Sequence, residues 1–205
     1  HFLNLGPATV LKYDPNQSIS STTAIDSTTY GSGEVIKVYK GIEPRISLKL
    51  NSNNNGSFRL SYQRIHQFMN QVSNTSVMSP ADFWKSSDTY VKPLISDQFA
   101  AGIFRNPGKG LYETSVEVYY KNLQNLLEYK NGAVLVMNKH VETDILNAKG
   151  YSYGLELFMK KNTGRLNGWV SYTYSRTMRQ TDNKFDEDII NAKKYYPSVY
   201  DKPHD

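Results

Sequence analysis

Apolar and polar residues alternate with period two in several short stretches, the pattern of strands that bury one face. In 45–50, Ile46, Leu48 and Leu50 point one way and Arg45, Ser47 and Lys49 the other. In 57–63, Phe58, Leu60 and Tyr62 oppose Ser57, Arg59, Ser61 and Gln63. The polar run 51–56 between them ends in Asn-Gly, residues with turn chemistry, so the pair predicts a hairpin. A second hairpin joins 97–105, with Phe99, Ala101 and Ile103 on one face, to 112–121 across the turn 106–110. There Val116, Val118 and Tyr120 oppose Ser115, Glu117 and Tyr119. A third joins 151–160 to 166–175 across 161–165. Tyr153, Leu155, Leu157 and Met159 oppose Ser152, Gly154, Glu156 and Phe158; Leu166, Gly168, Val170, Tyr172 and Tyr174 oppose Asn167, Trp169, Ser171, Thr173 and Ser175.

Short turns thus alternate with long polar segments near 64–96, 122–150 and 176–205. Soluble sandwiches keep most connections short. Short turns on one side and long loops on the other are the layout of an outer-membrane barrel, whose strands of about 9–11 residues match a tilted crossing. Tyr119, Tyr120, Tyr151, Tyr153, Tyr172 and Tyr174 are expected at the long-loop end, as a girdle at the bilayer interface. Residues 1–42 are less regular. Val35–Tyr39 reads as a strand, or as the start of one running to residue 50; 14–16 is a turn; 16–33, rich in Ser and Thr, reads as loop.

Composition narrows the classes. The 205 residues include 16 Tyr, 8 Phe and 2 Trp, so tyrosine dominates the aromatics. No run of about 18 apolar residues exists, which excludes a membrane-spanning helix but not a barrel strand. The chain has no cysteine, which removes disulfides, thiolate zinc sites and cysteine nucleophiles. The net charge is +5, but Lys and Arg are scattered singly. Nucleic-acid binders cluster them, so no nucleic-acid partner is expected. The sequence opens on His1-Phe2-Leu3-Asn4 without an initiator Met or a targeting signal and stops at Asp205 without a closing element. We expect a piece of a longer protein.

Candidate chemistry is sparse. Ser79-Pro80-Ala81-Asp82 predicts a helix start, with Ser as N-cap and Pro at the first helical position. Phe83, Trp84 and Tyr90 follow on the same outer loop, where exposed aromatics suit stacking on a ligand; pinning the loop is the plainer alternative. Asp182 and Asp186-Glu187-Asp188 form an acidic cluster without the spacing of a calcium loop. His1, His66, His140 and His204 lack ligand spacing, so no metal is expected. Pro107-Gly108-Lys109-Gly110 lacks the spacing of a phosphate loop, and no Gly-x-Ser-x-Gly elbow is present. Glu117 and Glu156 lie on polar strand faces with no apolar pocket to raise a pKa. An enzyme is not expected, nor a cofactor.

Several stretches also resemble a known family. Gly41-Ile42-Glu43-Pro44-Arg45-Ile46-Ser47-Leu48 resembles a barrel strand of TonB-dependent outer-membrane receptors of the Bacteroidetes type. Ser73-Asn74-Thr75 through Ser79-Pro80-Ala81-Asp82-Phe83-Trp84-Lys85 resembles one of their extracellular loops. The match is best at Gly150-Tyr151-Ser152-Tyr153-Gly154-Leu155-Glu156 and at Leu166-Asn167-Gly168-Trp169-Val170-Ser171-Tyr172-Thr173-Tyr174-Ser175-Arg176. The ending Tyr196 to Asp205 resembles the approach to the next strand, which gives His204 a structural role. The similarity covers most of 34–205.

The resemblance implies a role in the bacterial cell outer membrane: a receptor that binds a nutrient at the surface and imports it to the periplasm. Such receptors carry a plug inside a barrel of about 22 strands. This chain has too few strands to close that barrel and carries no plug, so the whole of 1–205 is expected to be part of the parent's barrel domain. The expected fold is all-β: about six to seven antiparallel transmembrane strands with long extracellular loops. Expected partners are outer-membrane lipid, the parent chain's plug, the TonB complex reached through the parent chain, and a small nutrient ligand. Ile46, Leu48, Leu50, Phe58, Leu60, Val116, Val118, Leu155, Leu157, Val170 and Tyr172 are expected to face lipid. Arg45, Lys49, Arg59, Gln63, Glu117, Glu156, Ser171 and Thr173 are expected to face the lumen, because a charge facing the bilayer centre costs about 2–4 kcal/mol. The alternative is a soluble β-sandwich carbohydrate-binding module, in which a second sheet covers the apolar face.

Overall fold

Three hairpins dominate the chain, as their alternation requires, and their strands merge into one sheet. The computed structural model describes residues 1–52, 56–73, 82–108, 110–181 and 183–205. Its strands are β1 (Phe2–Leu5), β2 (Ala8–Tyr13), β3 (Ala24–Tyr30), β4 (Val35–Tyr39), β5 (Arg45–Ser52), β6 (Gly56–Gln67), β7 (Met69–Val72), β8 (Phe83–Ser86), β9 (Leu94–Arg105), β10 (Tyr112–Tyr129), β11 (Ile145–Lys161), β12 (Gly168–Gln180) and β13 (Tyr196–Pro197). Seven of them form one antiparallel sheet in the order β13-β12-β11-β10-β9-β6-β5. The sheet is open: β5 and β13 are its edges among the described residues, and all eight residues of β5 are exposed. The chain is thus all-β with antiparallel pairing.

The strands are longer than the sequence pattern indicates. β10 spans 18 residues and β11 17, where 112–121 and 151–160 were expected. Their pairing continues beyond Asn122↔Tyr151 to Tyr129↔Ile145 after a register shift between Leu123 and Leu126. Asn125 absorbs the shift in a left-handed conformation, φ 57°, and its side-chain amide donates to the Pro93 carbonyl at 2.9 Å. One inserted residue reverses the parity of everything after it, so the alternation is lost although the strand goes on.

Connections differ sharply at the two ends. At one end β5 and β6 meet at Ser52↔Gly56, and short turns at 106–108 with 110–111 and at 162–167 join the arms on either side of them. At the other, among the described residues, lie 1–44, 68–73, 82–93, 130–144, 181 and 183–195. This loop end carries strand pairs of its own. β1 pairs with β4, β2 with β3, and β7 with β8. The Ser/Thr-rich stretch expected to be loop therefore contains β3, and Val35–Tyr39 is a separate strand that stops before Pro44 rather than running on to residue 50. The helix start at 79–82 falls mostly outside the described residues, but the chain directly after Asp82 is strand β8, paired Gln71↔Trp84 with β7.

The buried apolar cluster sits at this loop end. Val72, Val91, Leu135, Val141 and Ile145 form it, and Phe83, Leu127, Tyr129 and Ala133 pack against it. Lys130 ties three segments together: its ammonium lies 3.0 Å from Asp188 and donates to the Ser18 hydroxyl and the Ile19 carbonyl, both at 2.7 Å.

Candidate functional site

The hydrogen-bond register sorts the central strands into two faces. On one, cross-strand neighbours run Leu50–Phe58–Ile103–Val116–Leu157–Tyr172, then Leu48–Leu60–Ala101–Val118–Leu155–Tyr174, then Ile46–Tyr62–Phe99–Tyr120–Tyr153–Arg176. These rows are uncovered: Leu48 is 51% exposed, Ile103 53% and Val116 46%. Every residue expected on the apolar side lies in these rows or, for Val170, in the next one down. Charge bounds the band at both ends. Arg105 opposes Thr114 at the turn end, and Arg64 opposes Asp97 at the loop end. The eight residue-to-residue steps from Asp97 to Arg105 span about 27 Å along a strand, or about 20 Å normal to a bilayer at a barrel's tilt of roughly 40°. Arg64 holds Asp97 by two hydrogen bonds, at 2.7 and 2.9 Å.

The aromatic level is real but composed differently from the expected one. Tyr62, Phe99, Tyr120 and Tyr153 form one row below the Arg64–Asp97 pair, with the Tyr62 and Phe99 rings 4.8 Å apart. Tyr151 lies one row above, 6.3 Å from both Tyr120 and Tyr153. Tyr174 sits one row below and Tyr172 two, because β12 continues to Gln180 and places Tyr172 near its turn end. Tyr119 belongs to the opposite face, where its ring covers Gly154.

That opposite face is polar. Arg45 pairs with Gln63, Lys49 with Arg59, Glu117 with Glu156, Glu156 with Thr173 and Phe158 with Ser171. All eight residues expected on the charged side are therefore on it. Lys49 and Arg59 stand at one end of a row whose other end carries Glu117 and Glu156, with Gly102 between. The Arg59 guanidinium lies 5.2 Å from the Phe104 ring centroid. Gln63 donates to Gln98 at 3.0 Å, and Ser152 and Thr177 share a hydrogen bond of 3.0 Å.

The structure separates the aromatic trio of the outer loop. Trp84 is 62% exposed. Phe83 packs on the buried cluster. Tyr90 donates its hydroxyl to the Leu11 carbonyl and meets the Tyr13 ring edge to face at 5.3 Å. Burial, with Glu142 nearby, pushes the Tyr90 phenol up. Phe83 and Tyr90 thus pin the loop, and only Trp84 keeps a face free. The acidic cluster divides likewise. Asp188 is 7% exposed and turned to Lys130, Asp186 and Glu187 precede it on a short 3-10 turn, and Asp182 lies outside the described residues. Among the described residues no group of three or more metal-ligating side chains assembles. His204 bridges to Tyr174 and its Nδ1 lies 2.7 Å from the Tyr172 hydroxyl.

One feature escaped the sequence. At the loop end of the polar face a cavity of about 600 Å3 opens among β6, β7, β10 and β12, lined by Asn70, Leu126, Glu128, Tyr129, Arg179 and Tyr200 among others. Arg179 is the next polar-face residue of β12 after Thr177. Its guanidinium donates to the Leu127 carbonyl at 3.2 Å and to Glu128 at 3.3 Å. Glu128 also accepts from the Tyr196 hydroxyl at 2.9 Å. Burial and the Glu128 carboxylate push the Tyr196 phenol well up, and burial pushes Tyr129 up. These residues come from segments that lack alternation; reading 171, 173, 175 and 177 onward would have reached Arg179 alone. Compared with models of protein families, with curated proteins and with solved structures, the chain gives no match.

Proposed function

We propose that this chain is part of a TonB-dependent outer-membrane receptor, a β-barrel that binds a nutrient at the cell surface and imports it into the periplasm. In this reading the sheet is an arc of a larger transmembrane barrel, β5 and β13 continue into further strands, and the polar face looks onto a plug supplied by the parent chain. The observation that carries the reading is the uncovered apolar band, bounded by charge at both ends and topped by an aromatic row. In water such a face costs roughly 25 cal/mol per Å2, and patches beyond a few hundred Å2 mark a partner or a membrane. A sandwich module needs a second sheet on that face, and residues such as Leu48 and Ile103 lie open instead.

The test is fractionation of cells producing the gene product, with uptake of a labelled nutrient measured with and without an uncoupler. The reading expects the protein in the outer membrane and energy-dependent uptake that is lost on gene deletion. A water-soluble, folded product would overturn it.

A further inference from the structure

The apolar band carries a dent. In the row Leu48–Leu60–Ala101–Val118–Leu155–Tyr174 only Ala101 is small. Along β9 it lies between Phe99 and Ile103, which both stand out from the sheet and are more than half exposed. The result is a groove of about 490 Å3 over Ala101, walled by Leu48, Leu60 and Val118 and bordered toward the loop end by Tyr62, Phe99 and Tyr120.

A cation stands above this groove. The Tyr62 hydroxyl on its border donates to Asp97 at 2.8 Å. Arg64, the next residue of β6 on the same face, binds that carboxylate through Nε and Nη2 at 2.7 and 2.9 Å. The pair is lopsided: the Arg64 side chain is 41% exposed and that of Asp97 10%. Asp97 thus fixes the guanidinium from behind, and Arg64 Nη1 makes no hydrogen bond among the described residues. Asp97 and Ala101 are four residue steps apart on β9. That is about 13 Å along a strand, or about 10 Å along a bilayer normal at a tilt of roughly 40°.

An apolar slot below an outward guanidinium fits an amphipathic occupant. In a bilayer the slot gives a hydrocarbon chain no hydrophobic advantage, because lipid tails are as apolar as its wall. Leaving the slot empty forfeits dispersion contacts, so some chain fills it, and the headgroup decides which lipid stays. A guanidinium with free N–H groups holds phosphate oxygens by charge-assisted hydrogen bonds.

We propose that this groove holds one phospholipid, with an acyl chain over Ala101 and the phosphate on Arg64. The inference rests on the receptor reading only for the bilayer that supplies the lipid.

The experiment is native mass spectrometry of the purified protein released from detergent micelles. The probes are dipalmitoylphosphatidic acid, dipalmitoylglycerol, which lacks the phosphate, and inorganic phosphate, which lacks the chains. The proposal expects one saturable adduct of phosphatidic acid, about tenfold or more tighter than that of the diacylglycerol, and none of inorganic phosphate. Ala101→Phe fills the groove with a good strand former on an uncovered face. The paired change Arg64→Met with Asp97→Asn removes the cation and leaves no charge unpartnered. Each should weaken the adduct about tenfold. A ladder of adducts without saturation, equal binding of the diacylglycerol, or an unchanged adduct in either variant overturns the proposal. A protein that inserts in membranes but forms no saturable adduct refutes this site alone; one that forms it but stays folded and soluble without lipid or detergent refutes the receptor reading alone.

Discussion

Glu117 on β10 lies directly across from Glu156 on β11, two like charges at one cross-strand position. Such pairs destabilise a sheet, and their tolerance here reflects a polar face shared with Lys49 and Arg59 in the same row. One residue further, Leu157 faces the opposite way, against Val116 and Tyr172. Glu156→Gln should therefore stabilise the sheet by roughly 0.2–1 kcal/mol. Leu157→Arg should cost about 2–4 kcal/mol in a bilayer. Folding titrations in lipid vesicles measure both; equal effects of the two variants would contradict the facing.

Gly154 is small because Tyr119 covers it. A Cβ at Gly154 would lie 2.7 Å from the ring's Cε1. Gly154→Ala should cost about 1–3 kcal/mol by overpacking. With Tyr119→Ala in the background the ring is gone, and the same change should become neutral or stabilising by up to about 1 kcal/mol, since Ala restricts the unfolded chain. A double-mutant cycle reads the reversal; additivity would mean that the ring does not rest on the glycine.

Asp188 joins segments of the loop end that are distant in sequence. It binds Lys130 at 3.0 Å and accepts from the Ser18 hydroxyl at 2.6 Å. Asp188→Ala leaves the Lys130 charge half-buried and unpaired, a loss of about 3–5 kcal/mol where the site stays closed. Local opening is the cheaper escape. Hydrogen exchange should then quicken around residues 14–24 and 184–190 and stay unchanged in β9 to β11. Unchanged exchange throughout would refute this role.

The loop end should also be sensitive to alkali. Burial raises the phenols of Tyr13, Tyr129 and Tyr196, with carboxylates adding to the effect at Tyr13 and Tyr196. The folded state then holds these protons more tightly than the unfolded chain, whose tyrosines ionise near 10. Their contribution is intact below about pH 10 and falls as pH rises through the folded values. Tyrosinate absorbance with parallel unfolding curves should show late-ionising phenols and declining stability above that pH. Uniform titration of all 16 tyrosines at constant stability would contradict it.

The hairpin arms were legible because three physical signals agree there: period-two alternation, turn residues between arms, and charge confined to one parity. Ile46, Leu48 and Leu50 and their partners needed nothing more. Legibility stops where a local exception resets the count. Asn125 reverses the parity of β10, and the Ser and Thr residues of β3 hide a strand that pairs with β2. Tyr172 was misplaced by the same limit, since the height of a residue depends on where its strand ends. Phe83, Trp84 and Tyr90 share a loop, yet packing alone decides that two are pinned and one is free. The cavity of Asn70 and Arg179 joins strands distant in sequence, and nothing in either segment announces it.

The central claim is that one face of the sheet meets lipid and the other does not. The chain has no cysteine, so single cysteines at Leu48, Ile103, Val118 and Leu157, or at Arg59, Ser61, Glu117 and Glu156, each carry one fluorophore. In vesicles with brominated lipid the account predicts quenching at every position of the first set and none in the second. Equal quenching of both sets, or none in either with the protein folded, would contradict it.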